Sequence, residues 1–485
     1  MQLSAGLMGS NLLRGHRLFA AESSRAQRSA AVTGPVRGGR LGSPFGASVG
    51  DIAQQGYVEE EYFISGEAQR YEPIGALTAD GKWNVQPAGT APFKTRILVR
   101  RPKNAARFTG TVVVEWTNVS AGYELSSADP PGLYEEGHAY AAVSAQYVGL
   151  HGFRNANPHG LVQWDSQRYG SLSHPGDAYS YDIFSQAARL IGPMRHTPIV
   201  DPMGGLAVKR LIAVGGSQSA ARLCSYINAV QPRERIFDAF VPFISFGFGA
   251  NFDDAILDLS QVESAKHAQV LARLWTQTRV RDDADARVIV VNSEAEVLAS
   301  FPVRQPDTPK FRCWEVAGAA HAPTSLLKLF SDQLVRDGLS SLVNPKHHAS
   351  DVMWRPSYDA ALWHVHRWLN GGPAAPSQPP VEVIAGNTPT IDRDVYGNAK
   401  GGIRLPELEV PIARYQGRDD RRGGGGLSGL TEPFTGEILA ALYATHEDYA
   451  AKVETAARSA EAAGVILPYR TQEYIDQARM APIPA

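Results

Sequence analysis

Six short apolar runs recur along the chain, at 111–116, 139–144, 210–215, 239–244, 287–292 and 311–316. They are apolar on both faces, which is what a parallel sheet covered by helices on each side demands. Between the second and third runs, Tyr181, Phe184 and Ala188 share one helical face and predict a helix over 177–191. Ahead of the runs, 57–65 is rich in β-formers and 95–100 alternates apolar with polar residues, so antiparallel strands are expected at the start of the sheet. The pattern predicts an α/β fold, with a mostly parallel central sheet and helices on both faces.

A later helix, 357–369, stops at Asn370-Gly371-Gly372-Pro373, a strong termination signal. The Pro/Ala-rich stretch 373–380 reads as a connector. Beyond it the chain is turn-rich, apart from one helix predicted over 436–463. Three parts are expected: a flexible tail over 1–50, a core over 51–372 and a C-terminal extension over 373–485. The extension carries apolar residues at Ile438, Leu439, Leu442 and Tyr443. It is therefore expected to pack back on the core and to reach the rim of the site, the alternative being a separate tail.

With 485 residues, 44% of them hydrophobic, the chain can bury an adequate core without staples. Its 47 basic and 49 acidic side chains leave a net charge of -2. That balance makes no electrostatic case for nucleic acid or an anionic membrane. Two cysteines, Cys224 and Cys313, exclude a disulfide scaffold and a cysteine-rich zinc site, and two buried thiols are expected. No run reaches the roughly 18 apolar residues of a membrane helix. Residues 1–50 hold six Arg, no Lys and one acid, Glu22, without the uninterrupted apolar stretch of a secretion signal. A cytoplasmic chain is expected, with export through a degenerate signal as the alternative.

Chemistry enters at Gly215-Gly-Ser-Gln-Ser219, which follows the third run and precedes a helix predicted over 220–230. A sharp strand-to-helix turn holds its central serine at the tip, and small residues two positions away relieve the crowding. Ser217 is the candidate nucleophile, although Ser219 stands where a second glycine is usual. The backbone N–H of Gln218 is positioned to stabilise an oxyanion. A nucleophilic serine needs a base oriented by a carboxylate, in the chain order serine, acid, histidine. His321, just after the sixth run, is the candidate base. His364 and His366 face two directions from one helix, while His138, His151, His159 and His174 are expected mainly at the surface. Ser293-Glu-Ala-Glu296, after the fifth run, offers two acids, with Glu296 favoured over Glu294. The second oxyanion donor is expected from the backbone of Thr117 or Asn118, unless Asn118 is a turn residue holding its loop. Trp116, Tyr147 and Trp164 could wall a pocket, with aromatic core as the default. The glycine run at 423–426 lacks the strand and the Lys-Ser/Thr of a phosphate loop. No metal or organic cofactor is expected.

Taken together, Gly56-Tyr-Val-Glu-Glu-Glu-Tyr-Phe-Ile-Ser-Gly66, Val114-Glu-Trp-Thr-Asn-Val-Ser120, Tyr169-Gly-Ser-Leu-Ser-His-Pro-Gly-Asp177, Gly216-Ser-Gln-Ser-Ala220, Trp314-Glu-Val-Ala-Gly-Ala-Ala-His321 and Gly401-Gly-Ile-Arg404 carry a family likeness. The chain resembles the bacterial "alpha/beta hydrolase domain" family over about 32–468. The resemblance implies an α/β-hydrolase fold with its nucleophile at Ser217 and its base at His321. Where that family often has Asp, this chain has Glu296, which leaves the acid open. The expected activity is a serine esterase or lactonase acting on a small molecule. An acyltransferase with the same triad and a catalytically silent binding protein are the alternatives.

Overall fold

Each apolar run becomes a strand. A computed structural model describes residues 30–126, 131–153, 160–195, 199–256, 258, 266–343, 348–419 and 426–483. In chain order the strands are β1 (Ala31–Thr33), β2 (Tyr57–Pro73), β3 (Val85–Pro102), β4 (Thr111–Trp116), β5 (Ala139–Val143), β6 (Arg210–Gly216) and β7 (Ala239–Phe243). A small hairpin of β8 (Phe248–Ala250) and β9 (Trp275–Gln277) follows, then β10 (Arg287–Ser293) and β11 (Phe311–Val316). The main sheet has nine strands in the order β1-β2-β3-β5-β4-β6-β7-β10-β11. Pairing is antiparallel from β1 to β5 along this order and parallel from β5 to β11. This is the α/β-hydrolase fold.

Burial explains why the runs do not alternate. Val113, Val241, Ile289 and Trp314 face one apolar cluster, while Val112, Phe240, Val288 and Val290 face another across the sheet. Helices α1 (Ser180–Ile191) and α2 (Gln218–Ser225) contribute to the second layer. After them come α3 (Glu294–Ser300), α4 (Thr324–Arg336) and α5 (Arg355–Leu369), with α5 covering the opposite face. The β2–β3 hairpin is longer than predicted because Gly66, Pro87 and Pro92 interrupt its pattern. The distal half of β3 has no second ladder, since β5 pairs with Ile97, Leu98, Val99 and Arg100 alone. Prolines are tolerated on such an edge.

The expected tail needs correcting. Residues 1–29 lie outside the described residues, but residues 30–50 are attached to the core, with Ala30, Phe45 and Ala47 buried and the rest exposed or half-buried. β1 pairs with β2, and Phe45 is buried. The cause is a buried charge network. Arg96 bonds Glu61 at 2.9 Å and Glu124 at 2.5 Å, and Arg168 bonds Glu61 at 2.7 Å. Buried guanidinium groups need acceptors for all their donors. The carbonyls of Phe45 (2.9 Å to Arg96) and Val36 (3.2 Å to Arg168) supply them.

The extension packs on the core. Leu405, Leu408, Tyr415, Tyr449 and Val453 belong to the same apolar cluster as α5. The connector is tied down as well, with the Trp314 indole donating to Pro376 O at 2.9 Å. Its predicted single helix is two, α6 (Gly436–Leu442) and α7 (His446–Ala462). Tyr443 between them is extended and bonds Pro411 O at 2.8 Å, and the Thr445 side chain caps the new start at Asp448 N. A further helix, α8 (Pro468–Met480), escaped prediction because its buried face of Thr471, Tyr474, Ile475 and Ala478 is half polar. Of the glycine run, 423–425 lies outside the described residues. Among those described, no helix is long and apolar enough to cross a membrane.

Candidate active site

The turn from β6 into α2 carries Ser217 at φ 59° and ψ −118°, in the positive-φ region that a side chain rarely occupies. Its N–H donates to Phe243 O at 3.1 Å, which fixes the turn on β7. The sequence around it is small by necessity. A Cβ on Gly216 would lie 2.2 Å from the Phe243 ring, and one on Gly215 would lie 3.1 Å from Ser219 Cβ. Ser219 has its own use: its hydroxyl donates to Thr117 O at 3.1 Å, joining the turn to the loop after β4. Ser217 is half-buried while its neighbours on both sides are buried, so its hydroxyl stands at the tip.

That neighbouring loop corrects the expected oxyanion donors. Thr117 N–H is spent on Val143 O at 3.4 Å and Asn118 N–H on Leu125 O at 3.0 Å. Asn118 acts as a turn residue: its Oδ1 accepts Ser120 N–H at 2.8 Å and its Nδ2 donates to Gly216 O at 3.1 Å. Among the described residues the N–H of Val119, next along the same loop, donates to no acceptor, so Val119 takes the place of Thr117 and Asn118 as the candidate donor from this loop. The motif alone does not locate it, because the bonds that use up the Thr117 and Asn118 N–H groups reach Val143 and Leu125.

β10 and β11 bring the candidate acid Glu296 and the candidate base His321 together. His321 Nδ1 lies 2.7 Å from Glu296 Oε1. Glu296 is wholly buried at the third position of α3, and its other oxygen accepts from Ser293 N–H at 2.8 Å and Ser293 Oγ at 2.6 Å. This reciprocal cap sets the carboxylate's direction, and the helix N-terminus favours its charge. A carboxylate oxygen accepts, so Nδ1 carries the imidazole proton and Nε2 keeps its lone pair. The Phe246 ring stacks on His321 at 5.1 Å and 22°. Glu294 points elsewhere, to Arg393 and two backbone N–H groups. Among the described residues Ser217 Oγ makes no hydrogen bond, to His321 Nε2 or otherwise. Nucleophile–base contacts in unliganded sites are commonly long and tighten with substrate.

The other histidines are less exposed than expected. His159 lies outside the described residues. His174 is buried and its Nε2 lies 2.9 Å from Ala145 O, while half-buried His151 packs at a tilt against Tyr147. His138 is buried against His366, and burial first, then that neighbour, pushes its pKa down to about 3 from 6.5. The folded chain thus keeps His138 neutral where the unfolded chain binds a proton. Its contribution is complete above pH 6.5 and is lost as pH falls from 6.5 toward 3. We expect up to about 1.4 kcal/mol of lost stability per pH unit in that window. Urea unfolding at pH 5 and pH 7 should show a flatter acid limb in His138→Gln than in the parent; an unchanged limb would remove His138 as its source.

Trp116 and Trp164 are core residues, bonded to Gln146 and to Asp337 O. Both cysteines are free, and burial pushes the Cys224 thiol up to about 12. A cavity of about 370 Å³, lined by Cys224, Pro242, Val290 and Cys313 among others, does not reach Ser217 or His321. Among the described residues no group of three or more His, Cys, Asp or Glu side chains is arranged to hold a metal.

The model of a family described as "Alpha/beta hydrolase domain" matches residues 32–476. No curated protein matches the chain. Among solved structures, an a/b serine hydrolase without lid from Xanthomonas campestris is similar at 11% identity, covering 52% of this chain and 83% of that one, with a TM-score of 0.26. An esterase from Rhizomucor miehei is similar at 11% identity, covering 63% and 85%, with a TM-score of 0.26. A glucuronoyl esterase from Solibacter usitatus is similar at 10% identity, covering 60% and 85%, with a TM-score of 0.25.

Proposed function

Because the chain belongs to the alpha/beta hydrolase domain family, we propose that it is a serine hydrolase cleaving a small carboxylic ester or lactone through an acyl-enzyme on Ser217. The observation that carries this reading is the imidazole–carboxylate pair, His321 Nδ1 to buried Glu296 Oε1 at 2.7 Å, on the same sheet edge as a serine held at positive φ. Such a pair has a direct chemical use. His321 Nε2 takes the Ser217 proton as Oγ bonds to the substrate carbonyl carbon, and Glu296 stabilises the imidazolium that forms. The carbonyl oxygen becomes an oxyanion facing the N–H groups of Gln218 and Val119. Collapse breaks the ester C–O bond, and His321 returns the proton to the departing alkoxide. Water then repeats the sequence on the acyl-enzyme, releasing the acid and restoring the serine. In a lactone the leaving alkoxide stays attached, so one product carries both ends.

The test is a panel of esters and lactones of varied acyl and alcohol size, run beside a fluorophosphonate probe. Turnover of members of the panel, with probe labelling that substrate suppresses, is the expected result. A folded protein that neither turns over the panel nor takes the probe would sink the reading in favour of a silent binding fold. Product that forms only when an added alcohol or amine is present would replace hydrolysis with acyl transfer.

A further inference from the structure

We propose that the C-terminal extension is a working part of the catalytic centre, holding the His321 loop through the Arg393–Glu294 pair, so that both residues are positioning residues for the base. The inference rests on the reading of His321 as the base, and its evidence lies in Glu294. This residue starts α3, two positions before Glu296, and is buried. Its Oε2 accepts Gly318 N–H at 2.7 Å. Its Oε1 accepts from Arg393 Nη2 at 2.7 Å and from Gly417 N–H at 3.2 Å. Its own N–H donates to Ala319 O at 3.1 Å. One residue thus ties the acid helix to the histidine loop, and two of the three bonds to its side chain come from the extension.

The extension also grips that loop on both sides of His321. Ahead of it, Ile403 N–H donates to Glu315 O at 2.7 Å and Ala317 N–H to Ile403 O at 3.0 Å, extending β11's edge by a short parallel bridge. Beyond it, Ala322 N–H donates to Leu427 O at 3.0 Å. The packing leaves no slack, since a Cβ on Gly417 would lie 2.7 Å from Ala295 N, Ala319 O and Glu294 Cβ alike. Arg393 is itself held, with Nη1 on Gly397 O at 3.2 Å. These main-chain bonds splice the extension into the loop.

The 2.7 Å His321–Glu296 contact depends on how α3 and the loop are placed relative to each other, and Glu294 sets that placement from a point anchored by Arg393. Removing the guanidinium leaves a buried carboxylate without its counter-charge. Small displacements of a catalytic group cost up to about 100-fold in rate. Arg393→Met and Glu294→Gln are therefore expected to lower kcat about 10- to 100-fold with KM unchanged, and Arg393→Lys to restore most of the loss. In the proton spectrum, the downfield signal of the His321 Nδ1–H should broaden or shift in Arg393→Met whatever the activity. Ser217→Ala serves as the control: if it retains turnover, the nucleophile reading has failed on its own account. If it is inactive while Arg393→Met and Glu294→Gln keep parental kcat and an unmoved imidazole signal, the positioning proposal is overturned. Should Arg393→Met not fold, Glu294→Gln, which keeps an acceptor for Gly318 N–H, carries the same two readouts.

Discussion

Ser217→Ala is expected to lower ester turnover by roughly 10⁴-fold or more while leaving the fold intact. The substitution deletes the oxygen proposed as nucleophile and leaves the turn's backbone bond in place. Among the described residues that oxygen makes no hydrogen bond, and the turn is held by Ser217 N–H on Phe243 O. Alanine bears the same cost of a positive φ as serine, so the elbow should keep its shape. Steady-state assays on the best ester of the panel, with circular dichroism and thermal unfolding beside them, make the check. A folded variant with near-parental turnover would take Ser217 out of the mechanism.

The second large effect belongs to the acid. Glu296→Gln should cost on the order of 10³–10⁴ in kcat, because the amide cannot stabilise the imidazolium and can hold the wrong tautomer. The substitution is nearly isosteric and keeps an acceptor for Ser293 N–H and Ser293 Oγ, so the cap of α3 should survive. Glu294→Gln should cost far less, since Glu294 meets backbone and Arg393 rather than the imidazole. Measured effects in the reverse order would assign the triad carboxylate to Glu294 and contradict the geometry.

The parallel core was legible because its strands are buried on both faces and so read as unbroken apolar runs. The candidate serine turn, acid and histidine could be read for the same reason, as Ser217, Glu296 and His321 each follow the end of a run within five residues. What stayed hidden depended on partners distant in the chain. Residues 30–50 look like tail by composition, yet buried Arg96 and Arg168 need their carbonyls. The break between α6 and α7 is set by Tyr443 reaching Pro411, and α8 by a polar contact of Tyr474 with Glu407 at 3.0 Å. No periodicity records such bonds. Which of the Thr117, Asn118 and Val119 N–H groups is left as a candidate donor depends on acceptors at Val143 and Leu125, distant from the strand end in sequence. Glu294 and Glu296 are separated by one residue and are chemically alike. Only the side to which each points on α3 distinguishes them.

The central claim is a covalent acyl group on Ser217. The most direct measurement is intact-protein and peptide mass spectrometry after rapid acid quench, using a slowly deacylated ester from the panel. The account predicts one acyl adduct per chain, on the peptide containing Ser217, absent in Ser217→Ala and slower to form in Glu296→Gln. Turnover without any adduct under conditions where deacylation limits the rate, or an adduct on a different residue, would contradict it.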